Sequence, residues 1–335
     1  MSKIRIGVLC PSEIAFRRFM PALKTLDGFD YIGIAAATER EFSGADNDEV
    51  RPSELEKAEK FAAEHGGKIF RGYNILIDSD EIDALYIPLP PALHFKWAKK
   101  ALESGKHVLL EKPFTTSLAD TEELVSIAKK NGLALHENYM FAYHTQLDWV
   151  KEQINGGIIG DIRLIRIDFG FPFRGANDFR YRKALGGGAL LDCGGYTLKL
   201  ASMLLGDSAR VTESQLCGKD GFEVDIYGSA TLKNDDGLTA QVSFGMDNSY
   251  RCSLDIWGST GSIYTNRILT APVGYRPVMT IRNNDGEKTV ELPADDTFKK
   301  SIEAFGECIA DADKRREKFA EIVKQGGLVE KFERK

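Results

Sequence analysis

Short apolar runs alternate with helical patterns over the first third of the chain. Four runs have the length and near-continuous hydrophobicity of buried strands: Ile4–Leu9, Tyr31–Ala37, Ala84–Leu89 and His107–Leu110. Segments with helical spacing of apolar residues lie between or after them: about 14–26, 54–65, 94–105 and 118–131. The polar stretch 38–53 is expected to be a loop. This alternation predicts a parallel sheet covered by helices on both faces.

The pattern changes after about residue 160. Runs with strand character now follow one another without helices between most of them: Ile162–Phe169, Glu223–Leu232, Thr239–Phe244, Ser253–Gly258 and Val278–Asn283. Helical patterns remain at Gly195–Leu205 and Phe298–Ile309. The predicted fold class is therefore α/β, with a doubly wound domain over residues 1–122. A C-terminal α+β domain over residues 123–335 is predicted to be built on a mainly antiparallel open sheet.

Composition narrows the classes of protein to consider. The chain has 335 residues, of which 43% are hydrophobic and 28% charged, and its formal net charge is −6. This mildly acidic balance gives no support for binding to nucleic acid or to an anionic membrane surface. The N-terminal apolar stretch is broken too early for a signal peptide, and no window approaches the length of a transmembrane helix. A cytoplasmic location is expected.

The cysteines and histidines predict neither disulfides nor a metal site. The five cysteines are scattered, odd in number and contain no C-x-x-C pair. The five histidines show no metal-ligand spacing on one helix face. A reducing compartment is the natural interpretation.

The turn after the first strand lies where a doubly wound sheet binds a dinucleotide pyrophosphate. The usual G-x-G-x-x-G/A pattern is missing, because this turn consists of Cys10, Pro11, Ser12, Glu13 and Ile14, followed by Ala15. Pro11 also removes one amide donor. Ser12 can cap the following helix and offer its hydroxyl group to a phosphate. The turn alone favours a plain strand–turn–helix over a dinucleotide-binding loop.

Four further motifs resemble the glucose–fructose oxidoreductase/inositol dehydrogenase/MocA (Gfo/Idh/MocA) family. They are the segment Asp83–His94, the G-K-H-V-x-x-E-K-P sequence at Gly105–Pro113, the segment Glu137–Phe141 and the glycine-rich D-x-G-x-Y element at Gly186–Tyr196. The resemblance covers about residues 3 to 260 in consistent order. It implies an N-terminal Rossmann domain and an NAD(P)-dependent oxidoreductase that acts on CH–OH groups of a sugar or polyol.

The resemblance also assigns candidate site residues. Lys112 matches the family's active-site lysine, and Asp192 and Tyr196 match its D-x-x-x-H/Y pair, in the tyrosine form typical of nucleotide-sugar ketoreductases and dihydrodiol dehydrogenases. Hydride addition to a carbonyl requires a proton on the developing alkoxide, and a lysine ammonium beside a phenol suits that step. Which of Lys112 and Tyr196 protonates the substrate stays open. The candidate cofactor contacts are Cys10, Pro11, Ser12, Glu13, Ile14, Thr38, Arg40, Pro88, Leu89, Pro90, His94, Glu111 and Lys112.

The segment after the second strand bears on the choice between NAD and NADP. It has no carboxylate directly at the strand end, whereas Thr38 and Arg40 suit a 2′-phosphate. NADP is therefore preferred, although Arg40 as a solvated surface charge explains the sequence equally well.

Basic residues near the glycine-rich element suggest an anionic substrate. Arg174, Arg180, Arg182 and Lys183 form a basic stretch in an acidic protein. The candidate substrate contacts are Tyr139, Arg174, Arg182 and Lys199, and the sharpest substrate hypothesis is a nucleotide-linked keto-sugar. A solvated loop explains the same charges.

Two other functions fit the same sequence. One is a dehydrogenase for uncharged sugars, polyols or trans-dihydrodiols. The other is a non-catalytic NAD(P)-sensing regulatory protein, for which a phosphate loop without glycine is suitable. The family resemblance also implies a homodimer or homotetramer. The exact substrate and the physiological direction remain open.

Overall fold

The computed structural model describes residues 3–333 and divides them into two compact units. The first unit contains the residues up to Asn138 together with Phe298–Val323. The second contains Tyr139–Thr297 and the residues from Lys324 onwards. The predicted boundary at residue 122 lies within a helix, Leu118–Asn131, and needs correction. The chain after this helix still adds a strand to the first sheet, so the first unit continues to Asn138.

The first unit is the predicted doubly wound domain. Its six strands are β1 (Ile4–Val8), β2 (Phe29–Ala35), β3 (Lys68–Phe70), β4 (Ala84–Ile87), β5 (His107–Leu110) and β6 (Leu135–Glu137). They pair in parallel in the order β3-β2-β1-β4-β5-β6. The order reverses direction between β1 and β4, which is where such sheets bind their ligands.

Helices connect these strands. They are α1 (Met20–Leu23), α2 (Glu39–Ser43), α3 (Pro52–His65), α4 (Tyr73–Ile77), α5 (Pro91–Glu103) and α6 (Leu118–Asn131). A π-helical turn, Ala15–Phe19, leads directly into α1. The elements α2, β3 and α4 were not predicted. Each has five residues or fewer, too few to show a hydrophobic period.

The second unit contains an eight-stranded sheet. Its strands are β7 (Ile162–Gly170), β8 (Arg210–Cys217), β9 (Tyr227–Lys233), β10 (Thr239–Gly245), β11 (Arg251–Gly258), β12 (Gly261–Thr265), β13 (Val278–Asn283) and β14 (Gly286–Glu291). The order is β14-β13-β12-β11-β7-β10-β9-β8. Every pair is antiparallel except β10 with β7, so the prediction of a mainly antiparallel sheet is confirmed.

One face of this sheet is the core face and the other is open. Alternate residues such as Ile226, Leu232 and Val242 are buried in the core, whereas Tyr227 is 48% exposed. The core face packs on α8 (Gly195–Leu205), and α7 (Thr145–Asn155) contributes Leu147 and Val150 to the same core. Period-two alternation thus separates the two faces, as expected for a sheet covered on one side.

Two C-terminal helices complete the chain, α9 (Thr297–Ala310) and α10 (Ala312–Glu333). In the second unit, the Gln325 amide nitrogen donates to the Gly195 carbonyl oxygen at 2.9 Å, and Lys324 donates to the Gly206 carbonyl oxygen at 2.8 Å. The last turns of α10 therefore hold both ends of α8. Within residues 3–333, no helix is long and apolar enough to cross a membrane.

Candidate functional site

The turn after β1 caps the following helix although it contains no glycine. The Ser12 hydroxyl accepts a hydrogen bond from the Ala15 amide at 3.2 Å, which is the predicted helix cap. Amides in the first turn of a helix have no acceptor within that helix, so they are available to an anion. The turn also lies beside the β1–β4 reversal. These features fit a dinucleotide pyrophosphate, although Pro11 contributes no amide hydrogen.

The thiol of Cys10 stays neutral in this turn. Burial, the largest cause, raises the pKa of Cys10 to about 12, and the nearby Glu54 carboxylate adds to the shift. Cys10 is therefore a packing residue at the start of the loop and carries no charge toward a phosphate.

Thr38 and Arg40 follow β2, as predicted, but both side chains have partners. Thr38 is 6% exposed and caps α2, because its hydroxyl accepts from the Glu41 amide at 3.2 Å while the Glu41 carboxylate accepts from the Thr38 amide at 3.0 Å. The T-x-x-E spacing in the sequence is the signal of this capping box, and a contact of Thr38 with the cofactor stays a prediction. Arg40 remains exposed and pairs with Asp46 at 2.5 Å and Asp48 at 2.7 Å.

Glu41 also fixes the segment between β3 and α4. Its carboxylate, buried at 6% exposure, accepts hydrogen bonds from the Tyr73 amide at 2.9 Å and from the Asn74 amide at 2.8 Å. The Asn74 side chain donates a further bond at 2.7 Å. A single carboxylate thus joins two loops at the end of the sheet.

The side chain of His94 links the segments that follow β4 and β5. It is fully buried, with Nδ1 2.8 Å from the Pro113 carbonyl oxygen and Nε2 2.7 Å from the Leu89 carbonyl oxygen. Burial lowers the pKa of His94, partly offset by these carbonyl groups. The ring is enclosed, and the cofactor contact of His94 stays a prediction. Pro88 and Leu89 are buried as well, and Pro90 is half-buried.

Glu111 and Lys112 follow β5 at the same edge of the sheet. Glu111 Oε1 accepts from the Tyr86 hydroxyl at 2.6 Å and from the Asn138 amide group at 2.6 Å. Burial raises the pKa of Glu111, and these hydrogen bonds oppose the shift. Lys112 is half-buried and precedes a cis peptide bond to Pro113. Glu111 thereby ties β4, β5 and the end of β6 beside Lys112.

In the second unit, Tyr196 lies in the first turn of α8, directly after a second π-helical turn, Leu190–Gly194. It is 5% exposed, and its ring packs against Tyr139 at 5.1 Å, Phe169 at 5.3 Å and Phe141 at 5.6 Å between centroids. Its hydroxyl lies 3.9 Å from the Met140 sulfur. The ring orientation is therefore fixed by three aromatic neighbours.

The two glycines before Tyr196 are required by packing. A β-carbon on Gly194 would lie 2.9 Å from the Phe244 ring, and one on Gly195 would overlap the Tyr139 hydroxyl. Tyr139 is 2% exposed, and its predicted contact with substrate stays a prediction. It supports Tyr196 from the core side.

Asp192 lies in the π-helical turn and forms a partly buried ion pair with Arg180, which no local motif in the sequence indicates. Arg180 donates from Nε to Asp192 Oδ2 at 2.8 Å and from a terminal nitrogen to Asp178 Oδ1 at 3.1 Å. Burial, the largest influence, lowers the pKa of Arg180, but the two carboxylates outweigh it and raise the pKa overall. Arg180 therefore drops out of the predicted basic stretch, because its charge is already neutralised.

A second missed residue, Asp225, caps the start of this helical segment. Its carboxylate accepts from the Leu190 amide at 2.7 Å, and a β-carbon on Gly188 would lie 2.5 Å from its other oxygen. Burial raises the pKa of Asp225, and main-chain donors oppose the shift. Nothing near Asp225 in the sequence signals this contact, since its partner lies 35 positions away.

The remaining predicted substrate contacts differ in exposure. Arg174 and Arg182 are exposed, and the Arg174 guanidinium lies 4.7 Å from the centre of the Phe171 ring. Lys199 is 9% exposed and follows Tyr196 by three positions on α8. The structure thus brings Asp192, Tyr196 and Lys199 together on one helical segment, and it brings His94, Glu111 and Lys112 together at one edge of the first sheet.

Comparisons with protein families agree with both units. A model described as an oxidoreductase family with an NAD-binding Rossmann fold matches residues 31–139. A model described as the GFO/IDH/MocA C-terminal domain matches residues 148–264. A dTDP-3,4-didehydro-2,6-dideoxy-α-D-glucose 3-reductase from Actinomadura kijaniata is 36% identical over 327 residues, covering 98% of this chain and 94% of that protein.

A solved structure and a second relative extend the comparison. A 3-ketoreductase from Actinomadura kijaniata, solved in complex with NADP and TDP-benzene, superposes with a TM-score of 0.91 at 36% identity and covers 99% of this chain and 98% of that chain. A D-xylose 1-dehydrogenase (NADP(+)) from Haloferax volcanii is 27% identical over 309 residues, 90% of this chain and 88% of that protein.

Proposed function

The chain is an NAD(P)-dependent oxidoreductase of the GFO/IDH/MocA family, and on that premise we propose that it reduces the keto group of a dTDP-linked keto-sugar with NADPH. The observation that carries the proposal is the similarity to the Actinomadura kijaniata 3-reductase, 36% identity over 98% of this chain. The exposed Arg174 and Arg182 support it, because guanidinium groups suit a diphosphate.

The turn after β1 and the segment after β2 would hold the cofactor. The first-turn amides and Ser12 suit the pyrophosphate, and Arg40 suits a 2′-phosphate. Bound NADPH supplies the hydride. Side chains of this protein stabilise the developing charge on the substrate and deliver the proton.

Lys112 and Tyr196 act on the carbonyl oxygen of the substrate. An ammonium group stabilises the negative charge that develops on that oxygen, and a phenol can deliver the proton that completes the alcohol. The aromatic residues around Tyr196 restrict its ring to one orientation, so its hydroxyl is pre-positioned for transfer. Asp192, one helical turn before Tyr196, orients the substrate hydroxyl groups.

The test is NADPH consumption with a panel of purified sugars. Turnover with dTDP-linked keto-sugars, and at least about 100-fold lower kcat/KM with the matching free sugars, is the expected result. Equal turnover of free and nucleotide-linked sugars would contradict the substrate class. Lys112→Ala and Tyr196→Phe should each lower kcat by at least about 100-fold, and full turnover in both would overturn the catalytic assignment.

A second candidate is oxidation of an uncharged sugar with NADP. The similarity to a D-xylose 1-dehydrogenase over 90% of this chain favours it. NADP reduction with free aldoses, with no turnover of nucleotide-linked keto-sugars, would select this function.

A second copy of the chain is proposed to cover the open face of the eight-stranded sheet. That face exposes Trp257 at 58% and Tyr264 at 40%, and it has a 660 Å³ cavity whose lining includes Arg166, Arg251 and Asp255. Large exposed aromatics beside mixed charges suit an interface between two identical surfaces. Light scattering should report a dimer or tetramer, and Trp257→Asp should give a monomer. A monomeric wild-type protein would refute this assembly.

A cytoplasmic location is also proposed. None of the five cysteines forms a disulfide, and burial raises the pKa of the Cys308 thiol as well. Unpaired buried thiols are typical of proteins in a reducing compartment. Fractionation of cells that produce the protein tests this directly.

A further inference from the structure

We propose that Arg180 is a positioning residue that fixes the carboxylate of Asp192 for the reaction. The inference rests on the proposed function only in that it takes Asp192 as part of the reacting site. Arg180 lies 12 positions before Asp192 in a segment that the sequence marks only as basic.

The contacts of Arg180 leave it little freedom. Its Nε donates to Asp192 at 2.8 Å, and one terminal nitrogen donates to both oxygens of Asp178, at 3.1 Å and 3.3 Å. The guanidinium also lies 4.6 Å from the centre of the Phe179 ring. Because a planar guanidinium offers donors in fixed directions, two carboxylates and one ring together define its position.

The backbone of Arg180 is fixed as well as its side chain. Its amide donates to Asp178 Oδ1 at 3.0 Å, and its carbonyl oxygen accepts from the Gly188 amide at 2.9 Å. A side chain on Gly187 would overlap that carbonyl oxygen. The loop therefore folds back on itself around Arg180, and these contacts fix the position of the Arg180 backbone next to Asp192.

The ion pair between Arg180 and Asp192 is largely shielded from water. The exposed fractions of the Arg180 and Asp192 side chains are 20% and 11%. An ion pair shielded from water holds its geometry and its charges much more firmly than a surface pair does. Arg180 therefore restricts the rotamer of Asp192, without itself touching substrate.

The ion pair also explains why only some residues of the basic stretch are available to an anionic substrate. Asp178 and Asp192 together neutralise Arg180, whereas Arg174 and Arg182 remain exposed in the same loop. Arg180 thus serves the reacting carboxylate, and the other two arginines remain available for an anionic substrate.

The test is a double-mutant cycle of Arg180→Gln and Asp192→Asn, measured as kcat and KM. We expect Arg180→Gln to lower kcat by about 10- to 100-fold with less than about threefold change in KM, because a displaced carboxylate affects the reacting geometry. The double variant should be no slower than Asp192→Asn alone, since Arg180 acts only through Asp192. Arg180→Lys should recover part of the lost kcat.

A matched control removes a comparable pair at the surface of the second unit. Arg210 pairs with Asp235 at 2.6 Å, with side chains 45% and 74% exposed. Arg210→Gln should leave kcat and KM unchanged.

Several outcomes would overturn the inference. They are Arg180→Gln with kcat within about twofold of wild type, losses that multiply in the double variant, and Arg180→Lys no better than Arg180→Gln. If Arg180→Gln does not fold, Arg180→Lys is compared with wild type instead. An unchanged kcat in Arg180→Lys would refute a role for the fixed donor directions of the guanidinium. If the proposed substrate class is wrong, the wild-type protein will turn over only free sugars. The same double-mutant cycle is then measured with free sugars.

Discussion

The hydroxyl group of Tyr139 occupies the position that a β-carbon on Gly195 would need. Gly195 begins α8, and Tyr139 packs edge-on against Tyr196, the next residue along the helix. The absence of one side chain therefore lets a buried tyrosine fix the orientation of the proposed catalytic tyrosine.

Replacing Gly195 tests this relationship. Gly195→Ala should lower the free energy of unfolding by about 1–3 kcal/mol, the usual cost of overpacking a core, and should lower kcat as Tyr196 is displaced. Urea unfolding and steady-state kinetics measure the two effects. The second change Tyr139→Phe removes the overlapping oxygen, so the double variant should recover part of both losses.

Gly327 provides the control. It lies in α10, and a β-carbon there would meet no atom within 4 Å. Gly327→Ala should be neutral or stabilise the protein by up to about 1 kcal/mol. Equal changes in the free energy of unfolding for Gly195→Ala and Gly327→Ala would show that the Tyr139 hydroxyl does not constrain residue 195.

Removal of the Asp225 cap should weaken the helical segment that contains Asp192. Its carboxylate accepts from the Leu190 amide at 2.7 Å, so Asp225→Ala should lower the free energy of unfolding by about 1–2 kcal/mol. Asp225→Asn keeps an acceptor oxygen and should lose less. Urea unfolding of both variants, with the exposed Asp235→Ala as control, makes the measurement; equal losses in Asn and Ala variants would argue against capping.

His107 should make the protein less stable in mild acid. Burial, followed by the positive charge of Arg315, lowers the pKa of His107 from 6.5 to about 4. Between these values the unfolded chain binds a proton that the folded protein excludes. The free energy of unfolding is therefore greatest above about pH 6.5 and falls as the pH drops toward 4, by about 3 kcal/mol for this group.

The variant His107→Gln isolates that contribution. His107 Nδ1 accepts from the Ala134 amide at 2.9 Å, and a glutamine oxygen can replace this acceptor. Urea unfolding at about pH 7.5 and about pH 4.5 should show a smaller difference in the variant than in wild type. Burial also lowers the pKa of His65 and His94, so both proteins keep some pH dependence. An unchanged difference would refute the assignment to His107.

Asp48 should influence the choice between the two nicotinamide cofactors. It competes with a 2′-phosphate for Arg40, to which it is bonded at 2.7 Å. Asp48→Asn should tighten NADPH binding by about twofold to fivefold, the modest effect expected for an exposed pair, and leave NADH binding unchanged. Arg40→Gln should weaken NADPH binding alone. Fluorescence titration measures both, and equal changes for the two cofactors would exclude a contact with the 2′-phosphate.

Elements with a continuous apolar run or a helical hydrophobic period were predictable from the sequence. The bounds of β5, β13, α6 and α8 agree with the predicted ranges residue for residue. In α6 the capping Ser117 and the left-handed Gly132 supply explicit start and stop signals. The edge strand β14 was missed because its residues are mostly exposed and charged, which removes the alternation that marks a strand.

Part of the candidate site was predictable from the sequence because its residues lie in local motifs. Lys112, Asp192 and Tyr196 belong to local motifs, so the sequence identified them as candidates. The contacts that position them join distant segments, as Arg180 does to Asp192 and Asp225 does to Leu190. Local spacing contains no information on such pairs. Gly194 and Gly195, directly before Tyr196, make room for the aromatic side chains of Phe244 and Tyr139.

The π-helical turn Leu190–Gly194 has a consequence for comparing this chain with its relatives. A π turn contains one residue more than an α-helical turn, because each amide bonds to the fifth preceding carbonyl. Loss of a single residue there would leave the helix continuous but rotate everything before it by about 100° relative to Tyr196. An alignment gap of one residue between Asp192 and Tyr196 would therefore mark a relative in which these two side chains face different directions, even with both residue types retained.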